Sequence, residues 1–180
     1  RGYGSQRENE ATDSFSLPVL IAFFARSARI KNRSGIGGGS RMKDYKNAVL
    51  KELKESLECV KEEEIVWLAQ EIASARQVFC DGLGRSGLVM KAFAMRLGQM
   101  GIRSVSVGEV TAPAFGPGDL LVIGSASGSS AVLKYHAQKA KELGGRVALV
   151  TSKESSPLTE FAAGSVLVKA QDKDAMGTSI

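Results

Sequence analysis

The chain has 180 residues, 43% of them hydrophobic and 24% charged, which fits one soluble globular domain and excludes a disordered polymer. Two cysteines (Cys59 and Cys80) and a single histidine, His136, exclude a disulfide scaffold and a cluster of zinc ligands. The net charge of +5 is concentrated in residues 1–41, with seven basic and three acidic side chains, so the body of the chain points to no nucleic-acid partner.

Residues 1–41 read differently from the rest. The apolar run Leu17 to Ala25 is too short to span a bilayer, which needs about 20 residues. Glu8, Glu10 and Asp13 precede it, whereas targeting peptides are poor in acids at that position. Ser34 to Ser40 has linker composition, and the first methionine is Met42. Residues 1–41 are therefore expected to be an appended, upstream-translated or flexible segment, and 42–180 the domain. The expected setting is the cytoplasm, with no membrane partner.

From Met42 the pattern becomes orderly. Tyr45, Val49, Leu53, Leu57 and Val60 recur at helical spacing and predict a helix over 43–60. A second helix is expected over 63–76, with Trp67 packed between helices. Strands are then expected at Gln77–Asp81, Ser104–Gly108, Asp119–Gly124, Arg146–Thr151 and Ser165–Lys169. Helices are expected over 86–100 and 129–143, the latter stopped by Gly144 and Gly145, and a short one opening at Ser156-Pro157. Strands separated by helices imply parallel strands with right-handed crossovers, hence a three-layer α/β sandwich. The strands are apolar rather than alternating, as for a sheet covered on both faces.

Two strand-to-helix loops carry the chemistry. The first is Asp81-Gly-Leu-Gly84-Arg85-Ser86-Gly87, the second Ser125-Ala-Ser127-Gly128-Ser-Ser130. Each opens a helix, where unpaired N–H groups and the helix dipole favour an anion. Glycines let the backbone curl into a nest of N–H donors, and serines add small hydroxyls. Paired on one sheet edge, the loops read as one phosphomonoester site. Capping alone also explains a serine at a helix start. The rival reading is a dinucleotide site, because Gly82 to Gly87 matches G-x-G-x-x-G and Glu109 stands where a ribose-binding acid belongs. Arg85 inside the turn and the second serine loop favour the phosphosugar.

These loops resemble the sugar isomerase (SIS) domain. With Lys91-Ala-Phe-Ala-Met-Arg-Leu97, Val107-Gly108-Glu109 and Ala175-Met-Gly-Thr178, residues 43–180 resemble the 6-phospho-3-hexuloisomerase family within it. The resemblance implies a five-stranded parallel sheet in order 2-1-3-4-5 and assembly as a homodimer or homotetramer. It implies conversion of a phosphorylated hexulose, 3-hexulose 6-phosphate, to fructose 6-phosphate by enediolate proton transfer, which calls for no metal or redox cofactor. A non-catalytic sugar-phosphate module or sensor is the alternative.

The phosphate is expected to bind Gly84, Arg85, Ser86, Ser125, Ser127, Gly128 and Ser130. Family members continue past Gly-Thr with helices bearing a catalytic glutamate and a histidine. The resemblance thus implies a principal base beyond Ile180 and a C-terminally incomplete domain, with Glu109 as the acid here that could face the site. His136 is read as a structural residue within a helix. With no helix after the fifth strand, the sheet near Val166 and Val168 is expected to lie bare and drive self-association.

Overall fold

The computed structural model describes residues 39–168. The segment up to residue 38, Lys169 and Ala175 to Thr178 lie outside the described residues, so expectations for them are not addressed by it. The element order is α1 (Gly39–Glu58), α2 (Glu62–Ser74), β1 (Val78–Gly82), α3 (Gly84–Gln99), β2 (Ser104–Ser106), β3 (Leu120–Gly124), α4 (Ala131–Glu142), β4 (Arg146–Thr151) and β5 (Gly164–Leu167).

The five strands form one parallel sheet in the order β2-β1-β3-β4-β5, as the family resemblance implies. Runs such as Leu120-Leu-Val-Ile123 are buried throughout because both faces are covered. On one face Val78, Cys80, Val122, Val150 and Val166 meet Leu68 and Ile72 of α2 and Met90, Phe93 and Leu97 of α3. Leu53 of α1 packs against this layer from outside. On the other face Phe79, Ile123 and Leu149 meet Leu133 and Ala137 of α4. That layer is completed by Phe115, from the β2–β3 connection, and by Leu158 and Phe161, from the β4–β5 connection.

Four sequence expectations need correction. The helix expected at Ser156-Pro157 is a pair of turns, with Thr159 N–H bonded to Ser156 C=O and Phe161 N–H to Leu158 C=O. Strand β2 stops at Ser106 because Gly108 adopts φ +87° and turns the chain away. Leu57, expected on the buried face of the first helix, is exposed. The largest correction concerns Val166 and Val168, which are fully buried.

Helix α2, not a later helix, covers that part of the sheet. Leu68 and Ile72 share the cluster of Val166 and Val168, and Glu64 Oε2 accepts the Leu167 N–H at 2.7 Å, satisfying a backbone donor of the edge strand. The ring of Trp67 lies over Gly164, where an added Cβ would stand 2.6 Å from Cζ2. Trp67 therefore packs helix against strand, and the bare face that motivated self-association does not exist at these residues.

Candidate functional site

In an open parallel sheet a crevice forms where successive connections leave to opposite faces. Here that point lies between β1 and β3. Helix α3 follows β1 onto one face and α4 follows β3 onto the other. Gly82 and Gly124 are register partners at the carboxyl ends of these neighbouring strands, so the two loops start side by side.

Glycine is required in the first loop by contact. A Cβ on Gly87 would stand 2.5 Å from the Gly82 carbonyl oxygen, and one on Gly82 3.0 Å from the Gly124 carbonyl oxygen. The start of α3 is thereby pressed against the end of β1. The helix opens at Gly84, and its first bonded amide is Gly87 N–H, to Leu83 C=O. The N–H groups of Gly84, Arg85 and Ser86 precede it without intrahelical acceptors. Neither the Arg85 guanidinium nor the Ser86 hydroxyl has a side-chain partner among the described residues, and Arg85 is exposed.

The second loop is built from its own hydroxyls. Ser125, buried, accepts Gly128 N–H at 3.2 Å, and Ser130 caps α4 by accepting Leu133 N–H at 3.4 Å. The Ser127 and Ser129 hydroxyls bond to each other at 2.9 Å. The Ala126 carbonyl is held from behind by the hydroxyls of Thr151 at 3.2 Å and Ser152 at 2.7 Å. Gly128 takes φ +63° with Ser156 directly behind it, where a Cβ would meet Ser156. Capping therefore accounts for the oxygens of Ser125 and Ser130, while their hydroxyl protons remain available to an anion.

Glu109 lies three residues past β2, and its carboxylate accepts from Lys91 Nζ of α3 at 3.1 Å. Both side chains are about half exposed, 48% and 60%, so Glu109 stands in an ion pair rather than as a free acid at a strand end.

The pair that sequence reading missed is Asp81 with His136. Asp81 ends the apolar run of β1 and is 7% exposed. Its Oδ1 accepts the Gly82 N–H at 2.8 Å, and its Oδ2 accepts His136 Nδ1–H at 2.7 Å. A carboxylate at a strand's carboxyl end and a lone histidine were visible signals, but their 55-residue separation hid the contact. Cys80, beside Asp81, has its thiol pushed up to about 12 by burial and secondarily by the Asp81 charge, so it stays protonated and inert at neutral pH. Among the described residues, no group of three or more His, Cys, Asp or Glu could hold a metal ion, and no helix is long and apolar enough to cross a membrane.

Comparison with known proteins agrees with this architecture. The SIS domain family profile matches residues 71–179. The 3-hexulose-6-phosphate isomerase of Bacillus subtilis is 44% identical over 115 residues, 64% of this chain and 62% of that protein. The enzyme of the same name from Mycobacterium gastri is 38% identical over 118 residues, 66% and 59% of the two chains. A Methanococcus jannaschii protein, whose crystal structure is described as inferring a 3-hexulose-6-phosphate isomerase function, superimposes with a TM-score of 0.61 at 27% identity, over 77% of this chain and 78% of that one. The chain spans about three fifths of the length of the two curated relatives.

Proposed function

The chain belongs to the SIS domain family, and on that premise we propose that it is a sugar-phosphate isomerase of the hexuloisomerase type, interconverting 3-hexulose 6-phosphate and fructose 6-phosphate. The observation that carries this reading is the pairing of two anion-receptive loops at Gly82 and Gly124. The phosphate sits against the α3 N–H groups of Gly84, Arg85 and Ser86, the Arg85 guanidinium, and the hydroxyls and N–H groups of Ser125, Ser127, Gly128 and Ser130. Held at its remote end, the substrate presents its carbonyl carbons in a fixed orientation, so phosphate binding energy lowers the barrier to proton transfer. The enediolate forms and collapses by proton movement alone, in a cytoplasmic homodimer or homotetramer.

A second reading, a non-catalytic sugar-phosphate module, is favoured by one observation: Glu109 is occupied by Lys91. One experiment addresses both. Saturating fructose 6-phosphate is expected to stabilise the native state by about 2.7 kcal/mol at a hundred times its dissociation constant, with no response to NAD. Turnover of 3-hexulose 6-phosphate by the same preparation separates enzyme from module. Stabilisation by NAD and none by fructose 6-phosphate would overturn the sugar-phosphate reading in favour of the dinucleotide.

A further inference from the structure

The geometry points to the Asp81–His136 pair as a proton relay facing the sugar, with His136 moving the proton between the two oxygens of the enediolate and Asp81 positioning it; this rests on the sugar-phosphate reading above.

The pair bridges the two elements that carry the phosphate loops. Asp81 opens the first loop, and through Oδ1 it holds the N–H of that loop's first glycine. His136 lies on α4, whose N-terminus closes the second loop. His136 lies about 9 Å along the helix from Ser130, and its contact with Asp81 brings it to the carboxyl end of β1, beside the first loop. The carboxylate is almost wholly buried, whereas the imidazole is 32% exposed. The contact thus presents one edge of the ring outward and anchors the other.

Anchoring decides the chemistry. An ionised carboxylate can only accept, so Nδ1 carries a proton, and in the neutral ring the lone pair is left on Nε2. Nε2 makes no hydrogen bond within the described residues. A ring fixed in this tautomer accepts and returns one proton at the same nitrogen, the same logic by which a buried aspartate orients a catalytic histidine.

Isomerisation needs two proton movements, one between carbons and one between oxygens. The relay serves the second. The O2–H bond breaks as Nε2–H forms, leaving imidazolium held by Asp81. Nε2–H then breaks as O3–H forms, and the neutral ring is restored. Neither a redox partner nor a leaving group is involved, and the carbon-bound proton is handled by a separate base.

His136 is the only histidine in the chain, so uniform nitrogen-15 labelling gives one imidazole to follow by NMR alongside the backbone amides. Inorganic phosphate is expected to move the amide signals of Ser86 and Ser127 while leaving the His136 Nε2 signal in place. Fructose 6-phosphate is expected to move all three. Asp81→Asn is expected to shift the ring towards the other tautomer, and His136→Gln, should the first variant not fold, to weaken fructose 6-phosphate binding about tenfold relative to inorganic phosphate. Movement of the loop amides by fructose 6-phosphate without movement of Nε2 would overturn the relay and leave the sugar-phosphate reading standing. Failure of both ligands to move the loop amides would overturn that reading, and the relay with it.

Discussion

The two edges of the sheet are built from the same kinds of residue and put to opposite uses. At the amino-terminal edge Asp119 is wholly buried, and its Oδ2 accepts from Arg76 at 2.6 Å and from Gly116 N–H at 2.8 Å. Gly145 there lies so close to Phe115 that a Cβ would stand 2.3 Å from its ring. Arg146 faces Glu71 at 3.2 Å and donates to Ser74 at 3.1 Å. Polar groups at this edge are turned inward to tie loops to the sheet. At the carboxyl edge the second loop is tied by its own hydroxyls to its own amides and from behind by Thr151 and Ser152, and the first N–H groups of two helices are left without backbone acceptors. Glycine occurs at both edges; where the donors end is what separates them.

Substitutions can break that contrast. Gly87→Ala is expected to have the largest effect, because the added methyl meets backbone rather than a movable side chain. Overpacking there should cost about 3 kcal/mol in chemical denaturation and abolish fructose 6-phosphate binding as α3 is forced off β1. Ser127→Asp should reduce fructose 6-phosphate affinity about a hundredfold, measured by calorimetry, because a carboxylate is set beside the phosphate. Its stability should change by no more than about 0.5 kcal/mol. Unchanged affinity would remove the second loop from the site.

Asp119→Ala should do the reverse at the other edge. Loss of about 2 kcal/mol is expected as Gly116 N–H and Arg76 lose their acceptor, with fructose 6-phosphate affinity of the folded protein unaltered. A change in affinity would mean that the edges are coupled. The smallest effect concerns Cys80. Its thiol is raised from 9.0 to about 12 in the folded state, so the unfolded chain loses its proton first. The contribution of this group to stability is therefore complete below about pH 9 and declines as pH rises towards 12. A thiol reagent at pH 8 should label one cysteine per native chain, Cys59, and both in denaturant.

The strands and both loops were legible because each rests on a local signal: apolar runs bounded by turn residues, and glycine or serine at helix starts. The 2-1-3-4-5 order came from resemblance, since nothing local states which strands are neighbours. What escaped was decided by distant partners. Leu68 and Ile72 showed that α2 has an apolar face, but not that it lies on β5. Asp81 and His136 were each visible singly, and only the parallel pairing that sets β1 beside β3 brings them together. Ser156-Pro157 carried a helix-start signal, yet the segment ends in turns because Leu158 and Phe161 are drawn down onto the sheet.

Trp67, the only tryptophan in the chain, gives the contact between α2 and β5 an optical signature. Its indole is pressed against Gly164 on the far strand from the paired loops, so its emission reads the seating of one helix on one strand. Lifting α2 away would pass the ring into water and redden the emission, whatever happens at the phosphate loops. Gly164→Ala, which sets a methyl where the indole rests, would displace the ring without touching those loops. The protein thereby carries its own fluorescent gauge of whether β5 is covered.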